Sequence, residues 1–204
     1  MYKGKTKLED IAALLLQFRT YEIAITADIE KAYHTIQLIE KDRDYCRFIW
    51  LKDYNKPPDK DNIEIQRFCR IAFGLILSQF MLNAIRKHHI ACHPSPFTEE
   101  LQNDFYVDNL LSGTSNVHTA KIFYDTAVQI FVQCSMNLRC WATNSPIPRQ
   151  HFDPEKQDTA TVVGTLVLKW DTERDQLYLP HNRIDPNITP SLRAIFKQPA
   201  YTIR

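Results

Sequence analysis

Residues 22–38 read EIAITADIEKAYHTIQL, and a change of period inside this stretch decides the fold. From Glu22 to Ala27 the apolar residues Ile23, Ile25 and Ala27 alternate, which is the period of a half-buried strand. At Asp28 the spacing changes, and Ile29, Ala32, Tyr33 and Ile36 fall at i, i+3, i+4 and i+7, one face of a helix. Asp28 therefore sits where a strand gives way to a helix, a place from which a short acidic side chain can face a cleft.

The same reading extends outward in both directions. Upstream, residues 6–18 predict an amphipathic helix, with Thr6 and Glu9 at capping-box spacing and Leu8, Ile11, Ala12 and Leu15 along one face. Downstream, residues 45–51 and 63–73 predict a hairpin around a polar loop that carries Pro57 and Pro58. A helix over 78–90 presents Phe80, Met81, Ala84, Ile85 and His88, with Arg86 to His89 as a solvated end able to meet a phosphate. Residues 105–113 predict a second hairpin, bent at Asp108-Asn109. A helix over 116–131 turns Val117, Ala120, Tyr124, Ala127 and Phe131 inward. Residues 161–170 and 176–179 read as two more strands, and Pro180, Pro186, Pro190 and Pro199 punctuate the remainder of the chain. Strands alternate with amphipathic helices and no G-x-G-x-x-G is present. The expectation is an α+β fold: an antiparallel sheet backed on one face by helices.

Composition narrows the function classes. Lys and Arg number 25 against 24 Asp and Glu, so no broad basic surface exists and any nucleic-acid contact must be local. Five cysteines form an odd set without a Cys-x-x-Cys pair, which reads as reduced thiols in an intracellular protein. The first residues form no signal-peptide core, and no apolar run is long enough for a membrane helix. With only four glycines, Gly74, Gly113 and Gly164 are expected where the backbone needs positive φ or a close approach.

Asp28 and Asp108 each end an apolar strand. Taken singly, such residues are more often caps or turn formers. Together they make a pair of hard oxygen donors, the donor type that Mg²⁺ takes in phosphoryl transfer. An unrelated two-metal nuclease or phosphatase would need a further carboxylate, for which Asp42, Asp44 and Asp104 are the candidates.

The motifs around this pair carry a resemblance. Residues 27–38 (ADIEKAYHTIQL) resemble motif A of reverse transcriptases in the form found in BEL/Pao-type LTR retrotransposon polyproteins. Residues 44–50 (DYCRFIW) are similar to the segment next to it in that family. Residues 72–80 (AFGLILSQF) and the helix after them resemble motif B. Residues 105–113 (FYVDNLLSG) resemble motif C, residues 136–145 (MNLRCWATNS) motif D, and residues 162–170 (VVGTLVLKW) motif E. The motifs occur in order.

The resemblance implies a right-hand polymerase palm with partial fingers over residues 1–180, and a Pro-containing linker over 181–204. It implies Mg²⁺-dependent DNA synthesis by nucleotidyl transfer, with primer–template and dNTP as partners; Mn²⁺ is a substitute for Mg²⁺. Asp28, Asp108 and Asn109 take the catalytic positions, and Asp28, the Ile29 carbonyl and Asp108 the metal positions for a pair of ions. Ile29, Tyr33, Phe73, Gly74 and Tyr106 fall at substrate positions. Tyr33 matches the steric gate against a 2′-hydroxyl, and Phe73-Gly74 the turn against the template. Leu168, Lys169 and Trp170 fall at primer-holding positions; the bland alternatives are a core ring for Tyr33 and a packed indole for Trp170.

Several positions depart from the family. Asn109 stands where a second aspartate is usual, Ala72 and Gln79 replace prolines, Cys140 replaces a lysine and Val167 a glycine. The chain also starts just before motif A and ends before a thumb. The resemblance with these departures implies a truncated, impaired or silent copy, the alternative being a non-catalytic nucleic-acid-binding or interaction remnant of the same fold.

Overall fold

A computed structural model of the chain describes residues 10–179. The expected Thr6–Glu9 capping box, Leu8 and the linker over 181–204 lie outside the described residues. The first helix, α1 (Ile11–Phe18), is capped by Asp10, whose side chain accepts from the Ala12 N–H at 2.8 Å. The central strand β1 (Ile23–Ile29) follows, then a single helical turn, α2 (Ala32–Thr35). The helix expected to run from Ile29 to Ile36 is thus much shorter. Ile29 stays in the strand, Lys31 adopts φ 48°, and Ile36 is extended so that its carbonyl accepts from the Ile71 N–H.

A one-sided hairpin, β2 (Arg47–Leu51) and β3 (Ile63–Arg67), comes next, preceded by a 3-10 segment over Glu40–Cys46 that the sequence did not announce. Then come α3 (Ser78–Cys92), α4 (Thr98–Asn103), the hairpin β4 (Phe105–Tyr106) and β5 (Asn109–Thr114), and α5 (Val117–Gln133). After these lie β6 (Leu138–Thr143), α6 (Pro146–His151) and a three-stranded meander, β7 (Val162–Thr165), β8 (Leu168–Asp171) and β9 (Gln176–Tyr178). The run expected as one strand over 161–170 folds back on itself, with Leu166 at φ 55° in the turn.

The main sheet is antiparallel, in the order β4-β5-β1-β6. Mixed helix and antiparallel sheet make the fold α+β, as expected. Alternation along β1 then assigns the layers. Ile23, Ile25, Ala27 and Ile29 enter the larger core with Leu82 and Ile90 of α3 and Phe123, Ala127 and Phe131 of α5. The other face is covered as well, which the sequence did not announce. There Ala24, Leu111 and Ala142 pack on Leu14 and Phe18 of α1 and on Val163 and Trp170 of the meander. Trp170 is fully buried, edge-on to Phe18 at 5.0 Å between ring centres. This second core covers only the Ala24 end of that face. Asp28, four residues further along the same face, lies beyond it.

Helix α3 buries a different stripe from the one its apolar residues suggest. Ser78, Leu82, Arg86 and Ile90 face inward, while Phe80, Ala84, Ile85 and His88 are exposed. Arg86 is 1% exposed: its guanidinium donates to the carbonyl of Leu101 and to Asn83 Oδ1, and lies 4.3 Å above the Phe105 ring. It ties α3 to α4 and β4, so it does not belong to a solvated, phosphate-facing helix end.

Gly113 shows why the chain keeps a glycine in β5. An added Cβ would lie 2.5 Å from the Ile23 carbonyl oxygen and 2.5 Å from Tyr21 Cβ, and the β1–β5 ladder holds that carbonyl in place. Gly113→Ala is expected to cost about 2–4 kcal/mol in urea unfolding, as overpacking against backbone does. At Gly164, which has neither a positive φ nor a close approach, an added Cβ would meet only Lys169 Nζ, at 4.0 Å, so Gly164→Ala is expected to stay within roughly 0.5 kcal/mol of the unaltered chain. Equal losses from the two substitutions would contradict the assignment of Gly113 to a close approach.

Candidate functional site

The β4–β5 hairpin turns on Val107 and Asp108, with Tyr106 paired to Asn109. The bend is one residue earlier than expected, and Asn109 already belongs to β5. Val107 takes φ 59°, a position where two-residue hairpins favour glycine or asparagine. A β-branched residue there carries strain on the order of 1–3 kcal/mol. The surroundings hold the turn in place, because the Ile29 N–H donates to the Asp108 carbonyl at 3.0 Å and binds the turn to the end of β1. The strained turn thereby delivers Asp108 to Asp28.

Asp28 stands opposite Asn109 of β5 and opposite Arg139 of β6, so the three side chains share one face. Between Thr26 and Asp28 the β1–β6 register slips, and the extra residue on β6 bends the strand. Cys140, at φ 54°, occupies this bulge and turns its thiol toward Asp28. Glu30 accepts from Asn137 Nδ2 at 2.9 Å and from Arg139 at 2.8 Å, which fixes Arg139 beside the rim.

Both aspartates are poised above the ordinary carboxylate range. Burial raises the Asp28 carboxyl most; the Cys140 thiol counters it, and the negative charge of Asp108 raises it further. Burial likewise raises Asp108, opposed by its own backbone N–H and by the Asn109 amide. Asn109 Nδ2 donates to Asp108 Oδ1 at 2.9 Å. This orientation follows from charge, since an amide oxygen turned to the carboxylate would be repelled. Asp28 Oδ1 is buried without a hydrogen-bond partner, an arrangement that costs stability unless something binds there. Together with Tyr106, Cys140 and Leu166, these groups line a cavity of about 360 Å³.

The other expected site residues fall into two groups. Tyr33 is 8% exposed and its ring stands edge-on to Phe73 at 5.0 Å, while the charge of Asp108, after burial, raises its phenol. Phe73 is 65% exposed and Gly74 takes φ 83°, so this turn presents a ring beside Tyr33 and His34, and neither Tyr33 nor the turn is among the residues lining the cavity. Ile29 is buried, with only its backbone available. The expected primer-holding residues divide. Lys169 is exposed and Leu168 half-buried, but Trp170 sits in the second core and its Nε1 donates to Asp175 at 2.9 Å. The fully buried Trp170 indole has no surface to offer a primer strand.

Of the spare carboxylates, Asp44 is paired with Arg47 and Arg67, and Asp42 lines a separate apolar pocket with Tyr45 and Met81. Asp104 is fully buried and accepts from Ser112 Oγ at 2.6 Å, Gln17 Nε2 at 3.0 Å and Tyr21 Oη at 3.1 Å. Among the described residues, no group of three or more His, Cys, Asp or Glu side chains is arranged to hold a metal ion. Two carboxylates with one orphaned oxygen fit a single divalent cation. Asp158 lines the same cavity, with its Oδ1 engaged by the Ala160 N–H at 2.9 Å.

The Cys140 contact escaped the sequence reading, although a signal was there. The order Leu-Arg-Cys-Trp-Ala-Thr over 138–143 breaks strand alternation at Arg139-Cys140, where a bulge belongs. No protein-family model matches the chain, and no curated protein matches it.

Asp104 yields a pH prediction. Burial raises its carboxyl from 3.8 to about 6, so the folded chain holds this proton more tightly than the unfolded chain. The associated stability is full below about pH 3.8, is lost as pH rises through about 6, and is flat above. Asp104→Asn is expected to gain up to about 3 kcal/mol relative to the unaltered chain between pH 4 and 7.5. Urea unfolding at the two pH values measures this; parallel pH dependences would contradict it.

Proposed function

We propose that the chain is the palm-centred part of a reverse transcriptase from a BEL/Pao-type retrotransposon polyprotein, in a copy whose nucleotidyl transfer is impaired. The observation that carries this reading is the meeting of Asp28 and Asp108. One comes from the central strand of an antiparallel sheet and the other from a strained two-residue turn, and both face one cavity. The antiparallel sheet of order β4-β5-β1-β6 with α3 and α5 on one face supports the reading at the level of an α+β fold.

On this reading a primer hydroxyl attacks the α-phosphorus of a dNTP paired to an RNA or DNA template, and the bond to pyrophosphate breaks. Asp28 and Asp108 supply the negative rim, and would hold one Mg²⁺ or Mn²⁺. The ion would neutralise charge building on the phosphate oxygens. The remaining residues position the nucleotide. Tyr33, pressed against Phe73 and close to Asp108, forms the wall against a 2′-hydroxyl. The exposed Phe73 ring, on the Gly74 turn, offers a face to the templating base. Tyr106 borders the cavity, and the reading gives Leu168 and Lys169 of β8 to the primer strand. The balance of 25 basic and 24 acidic residues makes the strand contacts local rather than broadly electrostatic.

Asn109 favours impairment. It removes one carboxylate from the rim, and its amide occupies an oxygen of Asp108. A non-catalytic, nucleic-acid-binding remnant of the same fold is the second reading, and the same observation supports it.

Primer extension on poly(rA)/oligo(dT) with Mg²⁺ or Mn²⁺ tests the proposal. The unaltered chain is expected to extend slowly, Asp28→Asn to abolish extension, and Asn109→Asp to raise the rate tenfold or more, equivalent to about 1.4 kcal/mol of barrier. Extension by neither the unaltered chain nor Asn109→Asp would replace the polymerase reading with the remnant. Equal rates for those two forms would overturn the impairment.

A further inference from the structure

We infer that this site takes one divalent cation where its proposed family uses a pair, and that Asn109 is the residue that sets this number. The inference rests on the polymerase reading and goes beyond it. A two-ion site needs carboxylates able to face both ions at a separation of about 3.5–4 Å, each offering its oxygens freely. Neither aspartate here is free in that sense. Asn109 Nδ2 holds Asp108 Oδ1 at 2.9 Å, and the Cys140 thiol leans on the Asp28 carboxylate.

The opening left for a ligand is narrower. Asp28 Oδ1 is buried and has no partner. Asp108 lies close enough for its charge to act on Asp28. One oxygen from each carboxylate, completed by water, is a workable set for one hard cation. A second ion would have to displace the Asn109 amide or draw on Asp158, which also lines the cavity but whose Oδ1 already accepts from the Ala160 N–H at 2.9 Å, and no group of three or more His, Cys, Asp or Glu side chains is arranged for a metal among the described residues.

Asn109 is therefore a positioning residue. Its amide holds one oxygen of Asp108, while the strained Val107 turn and the Ile29–Asp108 backbone bond hold the main chain. An aspartate at this position would trade that hydrogen bond for repulsion between neighbouring carboxylates. A second cation would relieve the repulsion, and so the substitution is expected to convert the site from one ion to two.

The experiment is Mn²⁺ binding to the full chain without nucleic acid or nucleotide, followed by calorimetry for stoichiometry and by electron paramagnetic resonance for coupling between ions. The unaltered chain is expected to bind one Mn²⁺ with no Mn–Mn coupling. Asn109→Asp is expected to bind two with coupling, and Asp28→Asn to bind none. Asp28→Asn removes an unpartnered buried oxygen of a charged group and is expected to melt no lower than the unaltered chain, which separates lost binding from lost folding. Asp104→Asn, altered outside the cavity, is expected to keep one ion. Two coupled ions in the unaltered chain would overturn the one-ion inference and leave the polymerase reading standing. One ion in both the unaltered chain and Asn109→Asp would remove Asn109 from the role assigned to it. No ion in either form would overturn the inference together with the reading beneath it.

Discussion

Strand β1 has a partner strand on each edge and a core on each face, and the rest of the fold is arranged around that confinement. Its backbone groups are engaged by β5 on one side and β6 on the other. Ile23, Ile25, Ala27 and Ile29 enter the helix-backed core, and Ala24 enters the core built with α1 and the meander. The approach of β5 is close enough that Gly113 has no room for a side chain against Ile23 and Tyr21. A strand held this tightly cannot move a charge out of the way. When the covering α1 and meander stop short of its end, Asp28 is left at the border between a packed sheet and a cavity.

That border concentrates unfavourable features. Val107, Cys140 and Leu166 take positive φ around a single cavity, two carboxyls are raised by burial, and one carboxylate oxygen lacks a partner. The packed elements around it hold these features in place. Trp170 and Phe18 fill the second core, and Arg86 joins α3 to α4 and to the Phe105 ring. Three of the six non-glycine residues at positive φ among the described residues line this one rim together with an unpaired carboxylate oxygen, and strain of that kind clusters at functional sites. Asp104 shows the contrast. It is also buried and also raised, yet three donors from Gln17, Tyr21 and Ser112 satisfy it, and it serves as structure.

Much of this was legible in the residues, and the misses have physical causes. The switch of period at Asp28, the hairpins around β2–β3 and β4–β5, and the inward face of α5 follow from alternation and helical spacing. Asp28 and Asp108 stood out because each ends an apolar run. Strand β6 was hidden by its own bulge, which breaks alternation at the residues that reach the site. In α3 the apolar residues pointed to the exposed face. Arg86 is buried by partners at Leu101, Asn83 and Phe105, and most of that support is tertiary, invisible to a local window. The β7–β8 turn itself, at Leu166 and Val167, carries no glycine, asparagine or proline, and Gly164 lies two residues before it within β7. Trp170 fits a core indole, the plainer of its two readings. Asn109 looked like a lost ligand, but in the fold its amide also does something an aspartate cannot, donating to Asp108.

The central claim is that Asp28 and Asp108 converge to hold a cation at the end of β1. Anomalous diffraction from crystals of the chain grown with Mn²⁺ tests it most directly. The account predicts a single peak in the cavity, bonded to Asp28 Oδ1 and to an oxygen of Asp108, with Asn109 still donating to Asp108. A peak bound elsewhere, or a cavity without one at saturating Mn²⁺, would contradict it.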